Sequence, residues 1–119
     1  MVFTNTAVLN IIDYLDGNAP TAPTHMGLGT SAVVADVSQT ALGAELARYA
    51  IDTTTSGSSS ITFTYVLPSI TQNGESLTEF GVFNAASGST MFTRTTHTAL
   101  AKTSSIEVEY TVTINVGNT

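Results

Sequence analysis

The sequence contains no cysteine, few charges and only three basic side chains. Without cysteine the chain forms neither disulfides nor thiolate sites for metals or nucleophilic catalysis, so burial alone must hold its core together. The three Lys and Arg residues stand against nine Asp and Glu residues, which gives a formal net charge of −6. Nucleic-acid binding is therefore not expected, because proteins hold the phosphate backbone with clustered Lys and Arg.

The chain also lacks a long apolar run. Its opening apolar stretch, Val8–Leu15, is interrupted by Asn10 and Asp13 and is shorter than the ~20 apolar residues of a transmembrane helix. The first basic residue is Arg48, whereas a secretory signal has a basic start before its apolar run. We therefore expect neither a signal peptide nor membrane insertion.

What the sequence does contain is hydroxyl groups and β-forming residues. Serine and threonine together number 34 of 119 residues, while charged residues make up 10%, against roughly 25% in an average soluble domain. The length suits one domain over residues 1–119. Its surface should therefore consist mainly of hydroxyls and amides.

Residues 5–16 predict the one helix. Large apolar side chains recur there at intervals of three and four: Val8, Ile11, Ile12 and Leu15. Thr4, Asn5 or Thr6 can cap the start of this helix, and Gly17 suits the left-handed position that ends it.

Strands are predicted from about residue 24 onward. After a first strand near 24–30, residues 31–45 allow a strand, a loop or a single helical turn. From Leu46 the segments LARYAIDTTT, SITFTYVL, SLTEFGVFNA, TMFTRTTHT and SIEVEYTVTINV are rich in β-branched and aromatic residues and are separated by turn-forming residues. We predict an antiparallel β-sandwich of about six or seven strands.

Two of these segments indicate how the layers meet. Residues 106–116 alternate apolar and polar side chains, which is typical of a strand with one buried face. Residues 77–85 are apolar on both sides. We expect the second sheet to cover one side of this strand and the amphipathic helix to cover the other.

Glu79 has the same phase as Leu77 and Phe83, so its carboxylate is directed toward apolar neighbours. A buried carboxylate is costly unless a cation or amide donors compensate it. We predict a structural ion pair between Glu79 and either Arg94 or Arg48, with catalysis as the weaker alternative.

The remaining candidate motifs favour structural roles. GLGTSA at 27–32 has the form of a dinucleotide-binding turn, but prolines precede it and no periodic helix follows, so small residues in a close-packed strand are the better interpretation. A metal site at His25 or His97 would need carboxylate ligands, for instance from Asp13, Asp16 or Asp36. None of these lies at a metal-ligand spacing from a histidine within one element. We expect no metal, no cofactor and no catalytic residue.

The N-terminal region offers possible assembly contacts. Asp13 and Asp16 lie at the helix end where the helix dipole favours cations, so they belong to a solvated face or to a contact with a neighbouring subunit. Val2 and Phe3 give the chain an apolar start. They dock either on the domain's own sheet or on another chain.

Three segments resemble a known family in the same order along the chain: TALGAELARYA (40–50), LTEFGVFNAASGSTMFTRT (77–95) and AKTSSIEVEYTVTIN (101–115). This order is similar to that of a family of small structural proteins of tailed bacteriophages. The positions that carry the resemblance are Gly27–Thr30, Thr40–Gly43, Glu45, Leu46, Arg48, Glu79, Gly81, Phe83–Ala85, Gly88, Arg94, Lys102 and Thr103.

The resemblance implies a virion component without catalysis, in which the recurrent Glu, Arg and Gly positions are architectural. We expect a homo-oligomer on the exterior of the particle, as a capsid decoration or in the neck or tail. Its partners would be copies of itself and other virion proteins, contacted through the apolar N-terminus and helix or through the outer strands. The alternative is a tail-fibre-type module that binds a host receptor or glycan, although the likely loops 17–24, 56–60, 71–76 and 85–89 contain no aromatic residue.

Overall fold

The computed structural model describes residues 1–117 as two antiparallel β-sheets with one short helix, which confirms the predicted mainly-β sandwich class. The elements in chain order are β1 (Val2–Phe3), α1 (Asn5–Leu15), β2 (His25–Gly29), β3 (Glu45–Ala50), β4 (Thr53–Ser56), β5 (Ser60–Leu67), β6 (Ser76–Phe83), β7 (Met91–Ala101) and β8 (Val108–Asn115). One sheet has the order β1-β7-β6-β2-β3 and the other the order β4-β5-β8.

The eight strands of residues 1–117 exceed the six or seven expected, for two physical reasons. The N-terminal Val2–Phe3 adds a two-residue strand to the edge of β7. The segment LARYAIDTTT divides into β3 and β4, which belong to different sheets. The chain crosses at Ile51 and Asp52, where the Asp52 carboxylate accepts a hydrogen bond from the Val66 N–H at 2.8 Å. Of residues 31–45, which the sequence left open, residues 31–44 contain no helix or strand and Glu45 begins β3.

The main core lies between the two sheets. It consists of apolar side chains from β2, β5, β6, β7 and β8 together with one helix residue: Ala7, Met26, Leu28, Phe63, Tyr65, Leu67, Leu77, Phe80, Val82, Phe92, Tyr110 and Val112. In β8 the predicted alternation is present, since Tyr110 and Val112 are buried while Glu109 and Thr111 are exposed. Val116 lies beyond the end of this strand and is exposed.

The second face of β6 is covered by the loop of residues 30–44, so the expected position of the helix is wrong. Leu42 in this loop is buried in a small cluster with Phe83 and Met91. Helix α1 instead packs on β7. The burial of β6 on both sides, from Leu77 to Phe83, therefore has a different cause from the one predicted.

Polar groups determine how α1 is rotated on β7. Thr4 caps the helix by accepting the Ala7 N–H at 3.2 Å, and its hydroxyl also donates to the Met91 carbonyl. The Thr6 hydroxyl donates to the same carbonyl at 3.2 Å, and Asn10 Nδ2 donates to Thr90 Oγ1 at 3.1 Å. These contacts place the polar side of the helix, with the small Ala7, against the sheet. Its large apolar residues consequently face outward.

Thr4 offers a test of this anchoring. We expect Thr4→Ala to lower the free energy of unfolding by about 2 kcal/mol, because the change removes both a helix cap and a buried hydrogen bond. Thr4→Ser keeps the hydroxyl and should lose less than half as much. Urea denaturation of the full chain measures both values. Equal losses in the two variants would show that the hydroxyl does not hold the helix.

Candidate functional site

The Glu79 carboxylate is fully buried and accepts four hydrogen bonds. Its Oε1 accepts from Arg94 Nε at 3.0 Å and from the Gly43 N–H at 2.8 Å. Its Oε2 accepts from the N–H groups of Ser31 at 2.9 Å and Ala44 at 2.8 Å. Burial alone would raise the pKa of Glu79, but the three backbone donors and the Arg94 hydrogen bond together lower that pKa below its ordinary value.

Arg94 completes the connection between β6, β7 and the loop of residues 30–44. Its side chain is 1% exposed, and its Nη1 donates to the Val33 carbonyl at 2.8 Å and to Gln39 Oε1 at 3.1 Å. Together Glu79 and Arg94 bond five positions of this loop. We call the pair and these contacts the loop clamp. Of the two partners predicted for Glu79, the structure selects Arg94.

Gly29 gives the carboxylate its space. A Cβ atom at Gly29 would lie 2.5 Å from Glu79 Oε2 and 2.6 Å from the Ala44 carbonyl oxygen, too close for any larger residue. The GLGTSA segment thus provides a strand in which the absence of a side chain at Gly29 leaves room for the Glu79 carboxylate and for the loop of residues 30–44. This arrangement agrees with the close-packed interpretation of the motif.

Arg48, the other predicted partner of Glu79, lies elsewhere. It forms an ion pair with Glu45 at 2.9 Å, and its Nη1 donates to the carbonyls of Ala85 at 3.1 Å and Gly88 at 2.8 Å. The guanidinium carbon lies 3.6 Å from the centre of the Phe83 ring, a cation–π contact. Arg48 therefore holds the turn between β6 and β7.

Lys102 was not predicted as a site residue, yet it is 1% exposed. Its Nζ donates to the Ser69 carbonyl at 3.1 Å, to Asn73 Oδ1 at 2.9 Å and to the Thr103 carbonyl at 3.1 Å. Two of the three ammonium hydrogen bonds thereby hold the loop between β5 and β6, and the third goes to the residue that follows Lys102. The signal that could have found it is scarcity, because Lys102 is the one lysine in an acidic chain.

The two histidines are far from a metal-binding arrangement. His25 Nδ1 lies 2.8 Å from Thr24 Oγ1, while His97 Nδ1 lies 2.8 Å from the Thr98 carbonyl and its Nε2 lies 3.0 Å from the Tyr110 hydroxyl. Among residues 1–117 no three His, Asp or Glu side chains gather closely enough to hold a metal ion, and Asp13, Asp16 and Asp36 do not meet either histidine. These contacts are structural.

His97 borders a groove that is lined by residues of β6, β7 and β8. The strand β7 bulges here, since three residues, His97 to Ala99, lie opposite Thr78 alone. The groove has a volume of about 480 Å³ and is lined by Phe80, His97, Thr98, Leu100, Val108, Glu109, Tyr110 and Thr111. Burial raises the pKa of Tyr110 to about 12, so its hydroxyl keeps its proton at neutral pH and is no base.

The predicted assembly residues divide into two groups. Val2 and Phe3 pair with Arg94 and Thr93, so the apolar start of the chain docks on its own sheet. Asp13 and Asp16 are exposed at the end of α1, without an ion-pair partner. Within residues 1–117 no helix is long and apolar enough to cross a bilayer.

The most unusual surface is on α1. Its residues Val8, Ile11, Ile12 and Leu15, which we call the helix stripe, are 44% to 76% exposed. Leu9 and Tyr14 beside them are also exposed. An amphipathic helix of a globular protein normally buries such a stripe against its own core. Contiguous exposed apolar side chains are typical of an interaction surface.

Comparison with known proteins assigns no family to this chain, so its function has to be inferred from these contacts. The chain matches no family model, no curated protein and no solved structure. The described residues offer three side-chain cations that hold loops, together with exposed apolar side chains on α1 and, at Val33, Val34 and Val37, on the loop of residues 30–44.

The loop clamp predicts a specific loss of stability. Glu79→Gln should lower the free energy of unfolding by about 3 kcal/mol, because it leaves the Arg94 charge buried without a counter-ion and directs an amide N–H toward backbone donors. The control Glu109→Gln changes an exposed carboxylate on β8 and should shift stability by less than about 0.5 kcal/mol. Urea denaturation at pH 7 compares the variants.

The same pair predicts a pH dependence. Because the folded pKa of Glu79 is lowered, its stabilising effect is complete above the unfolded pKa of about 4.3 and disappears as the pH falls through the folded pKa. The stability difference between wild type and Glu79→Gln should therefore be constant from pH 7 to about pH 5 and shrink below about pH 4. A difference that stayed unchanged down to pH 2 would contradict the assignment.

Proposed function

We propose that this chain is a non-enzymatic structural component of a tailed-phage virion, a homo-oligomeric sandwich on the exterior of the particle in a capsid-decoration or neck and tail position. The phage assignment depends on the ordered resemblance of residues 40–50, 77–95 and 101–115 to small phage structural proteins. The assembly role depends chiefly on one observation, the outward-facing helix stripe.

The positions that carry the resemblance support an architectural role. Many of them meet in the contacts that hold loops: Gly29, Gly43, Glu79 and Arg94 in the loop clamp, Arg48, Phe83, Ala85 and Gly88 at the β6–β7 turn, and Lys102 with Thr103. Glu79, Arg48 and Lys102 take their hydrogen-bond partners from the chain itself, and so do Nε and Nη1 of Arg94, whereas its buried Nη2 has no hydrogen-bond partner within residues 1–117. A sequence pattern made of such positions is typical of a structural scaffold.

The helix stripe favours assembly over an isolated domain. Four large side chains at 44% to 76% exposure leave apolar surface in water, and covering it would stabilise an oligomer by roughly 25 cal/mol per Å² of apolar area removed from water. The polar contacts of Thr4, Thr6 and Asn10 keep the stripe outward. The proposed partners are copies of this chain and neighbouring virion proteins.

Charge supports the exclusion of nucleic acid from these partners. The side chains of Arg48, Arg94 and Lys102 are each less than 10% exposed and already donate to protein acceptors. No Lys or Arg side chain is thus left for phosphate contacts. The surface is acidic and rich in hydroxyl groups.

A receptor- or glycan-binding module is the second candidate, and the groove beside His97 is the observation that favours it. Sugar recognition would need an exposed aromatic face, yet Phe80 is 8% and Tyr110 is 5% exposed. Their rings lie against each other at 4.4 Å between centres and belong to the core. Assembly is therefore the better-supported function.

Self-association is tested by a charge placed in the stripe. We expect the wild-type chain to sediment as an oligomer and Ile12→Asp to sediment as a monomer, because an unpaired carboxylate is costly in an apolar contact. Ile70→Asp is the matched control, since Ile70 is 86% exposed but lies in the loop after β5. Sedimentation velocity over a hundredfold range of concentration compares the three. A wild-type monomer throughout would contradict a homo-oligomer.

The virion location has its own test. Antibodies against the chain should label intact purified particles of the phage whose genome encodes it, and the protein should appear in their mass spectra. Label on the head would place it as a decoration, and label on the neck or tail would place it there. Absence of the protein from purified particles would overturn the proposed function.

A further inference from the structure

One side of strand β8 is an unpaired sheet edge. β8 lies last in the order β4-β5-β8, so within residues 1–117 no strand pairs with its other side. Just beyond the strand, the Val116 N–H donates to the Ser59 carbonyl at 2.7 Å, so the backbone groups of Val116 and of every second residue before it point toward β5. The N–H and C=O groups of Glu109, Thr111 and Thr113 therefore point away from β5, toward the free edge.

This edge is longer and more regular than the other edges of the two sheets in the described part of the chain. β8 pairs with β5 over eight consecutive positions without a register shift. The other edge strands are two residues long in β1, four residues long in β4, or shifted in register against β2 in β3. Proteins usually block a strand edge with lysine, proline, a bulge or a short strand, and β8 has none of these.

The groove beside His97 borders the same edge. Residues 108–111 of β8 alternate between the inner and the outer face of the sheet, yet all four line this groove. Because β5 occupies the other side of β8, a groove that touches both faces lies at the free edge. Leu100 and Val108, both partly exposed, give the groove apolar walls. A strand added to β8 would direct every second side chain into it.

We propose that the free edge of β8 binds an extended segment of another protein as a fourth, antiparallel strand of the smaller sheet. The side chains of the segment opposite Val108 and Tyr110 point into the groove and are apolar. The side chain opposite Glu109 points outward and is Lys or Arg. This inference goes beyond the proposed assembly through the helix stripe, because it concerns a different surface and a different kind of partner.

Charge indicates that the segment does not come from a second copy of this chain. Glu109 is exposed on β8, and Glu107 is exposed just before it. Opposite charges across neighbouring strands are stabilising, and like charges are destabilising. A second copy carries a net charge of −6, and its Arg48, Arg94 and Lys102 already hold its own loops. It therefore has no cation to place opposite Glu109, whereas a partner with a basic residue in an extended segment does.

A capped synthetic peptide, Lys-Val-Thr-Val-Lys-Val-Thr-Val, is the probe, and the matched peptide has glutamate in place of lysine. Each is titrated into the isotope-labelled full chain and followed by NMR. The amide signals of Glu109, Thr111 and Thr113 should shift, and their hydrogen exchange should slow several-fold. The N–H groups of Tyr110 and Val112 already face β5 and should be protected with or without peptide. The lysine peptide should bind about fivefold more tightly than the glutamate peptide.

Three variants locate the contact. Thr111→Pro removes an N–H that β5 does not use, so the chain should fold but no longer bind the peptide. Thr54→Pro makes the same change at the outward N–H of the opposite edge strand β4 and should bind the peptide as wild type does. Glu109→Lys changes an exposed side chain and should reverse the preference to the glutamate peptide.

Unchanged amide signals of Glu109, Thr111 and Thr113 at millimolar peptide would overturn the inference. Equal affinity for the two peptides would also overturn it, as would binding that Thr111→Pro leaves intact. If Thr111→Pro does not fold, the reversal in Glu109→Lys decides.

Sedimentation separates this inference from the proposed function. Thr111→Pro should sediment as wild type does, because its helix stripe is unchanged. A monomeric Thr111→Pro beside an oligomeric wild type would show that a second copy occupies the edge, and would overturn the inference. A wild type that is monomeric but binds the lysine peptide would contradict the homo-oligomer and support the inference.

Discussion

The rest of the structure depends on the burial of one carboxylate. Glu79 stands on the central strand β6 with its side chain on the outer face of the larger sheet, where no solvent reaches it. A charge in that position requires donors, and Arg94 with three backbone N–H groups provides them. Those N–H groups belong to residues 31–44, so satisfying the carboxylate also places the loop. Leu42 is thereby laid over Phe83, and the face of the sheet is closed without a helix.

Because of this closure, α1 does not cover the outer face of β6. Since the loop occupies the outer face of β6, the helix packs at the edge, on β7, with hydroxyl and amide contacts on its sheet-facing side. The basic residues are also used within the domain, because each of the three Lys and Arg side chains holds a loop. Neither salt bridges to acidic partners nor phosphate contacts are then available from those side chains. What remains for association is apolar contact and neutral hydrogen bonding.

The sequence predicted the features that depend on local patterns. The helix at 5–16, the strand with alternating residues after Ile106 and the burial of Glu79 follow from periodicity and from the cost of an unpaired charge. The choice of Arg94 over Arg48 did not follow, because it depends on strand register, with Gly81 opposite Arg94. The rotation of α1 was predicted wrongly. Periodicity identifies an apolar stripe on a helix but does not indicate whether the domain's own sheet or another surface covers it.

The outward stripe carries a consequence for how folding and assembly are related. Helix α1 is held by a cap, by hydroxyl contacts to Met91 and by the buried Ala7, none of which involves the stripe. A short helix gains most of its stability from packing, and here a polar attachment replaces the usual apolar one. The domain can therefore fold with the stripe uncovered. In the proposed oligomer, covering the stripe would then add stability beyond that of the folded domain.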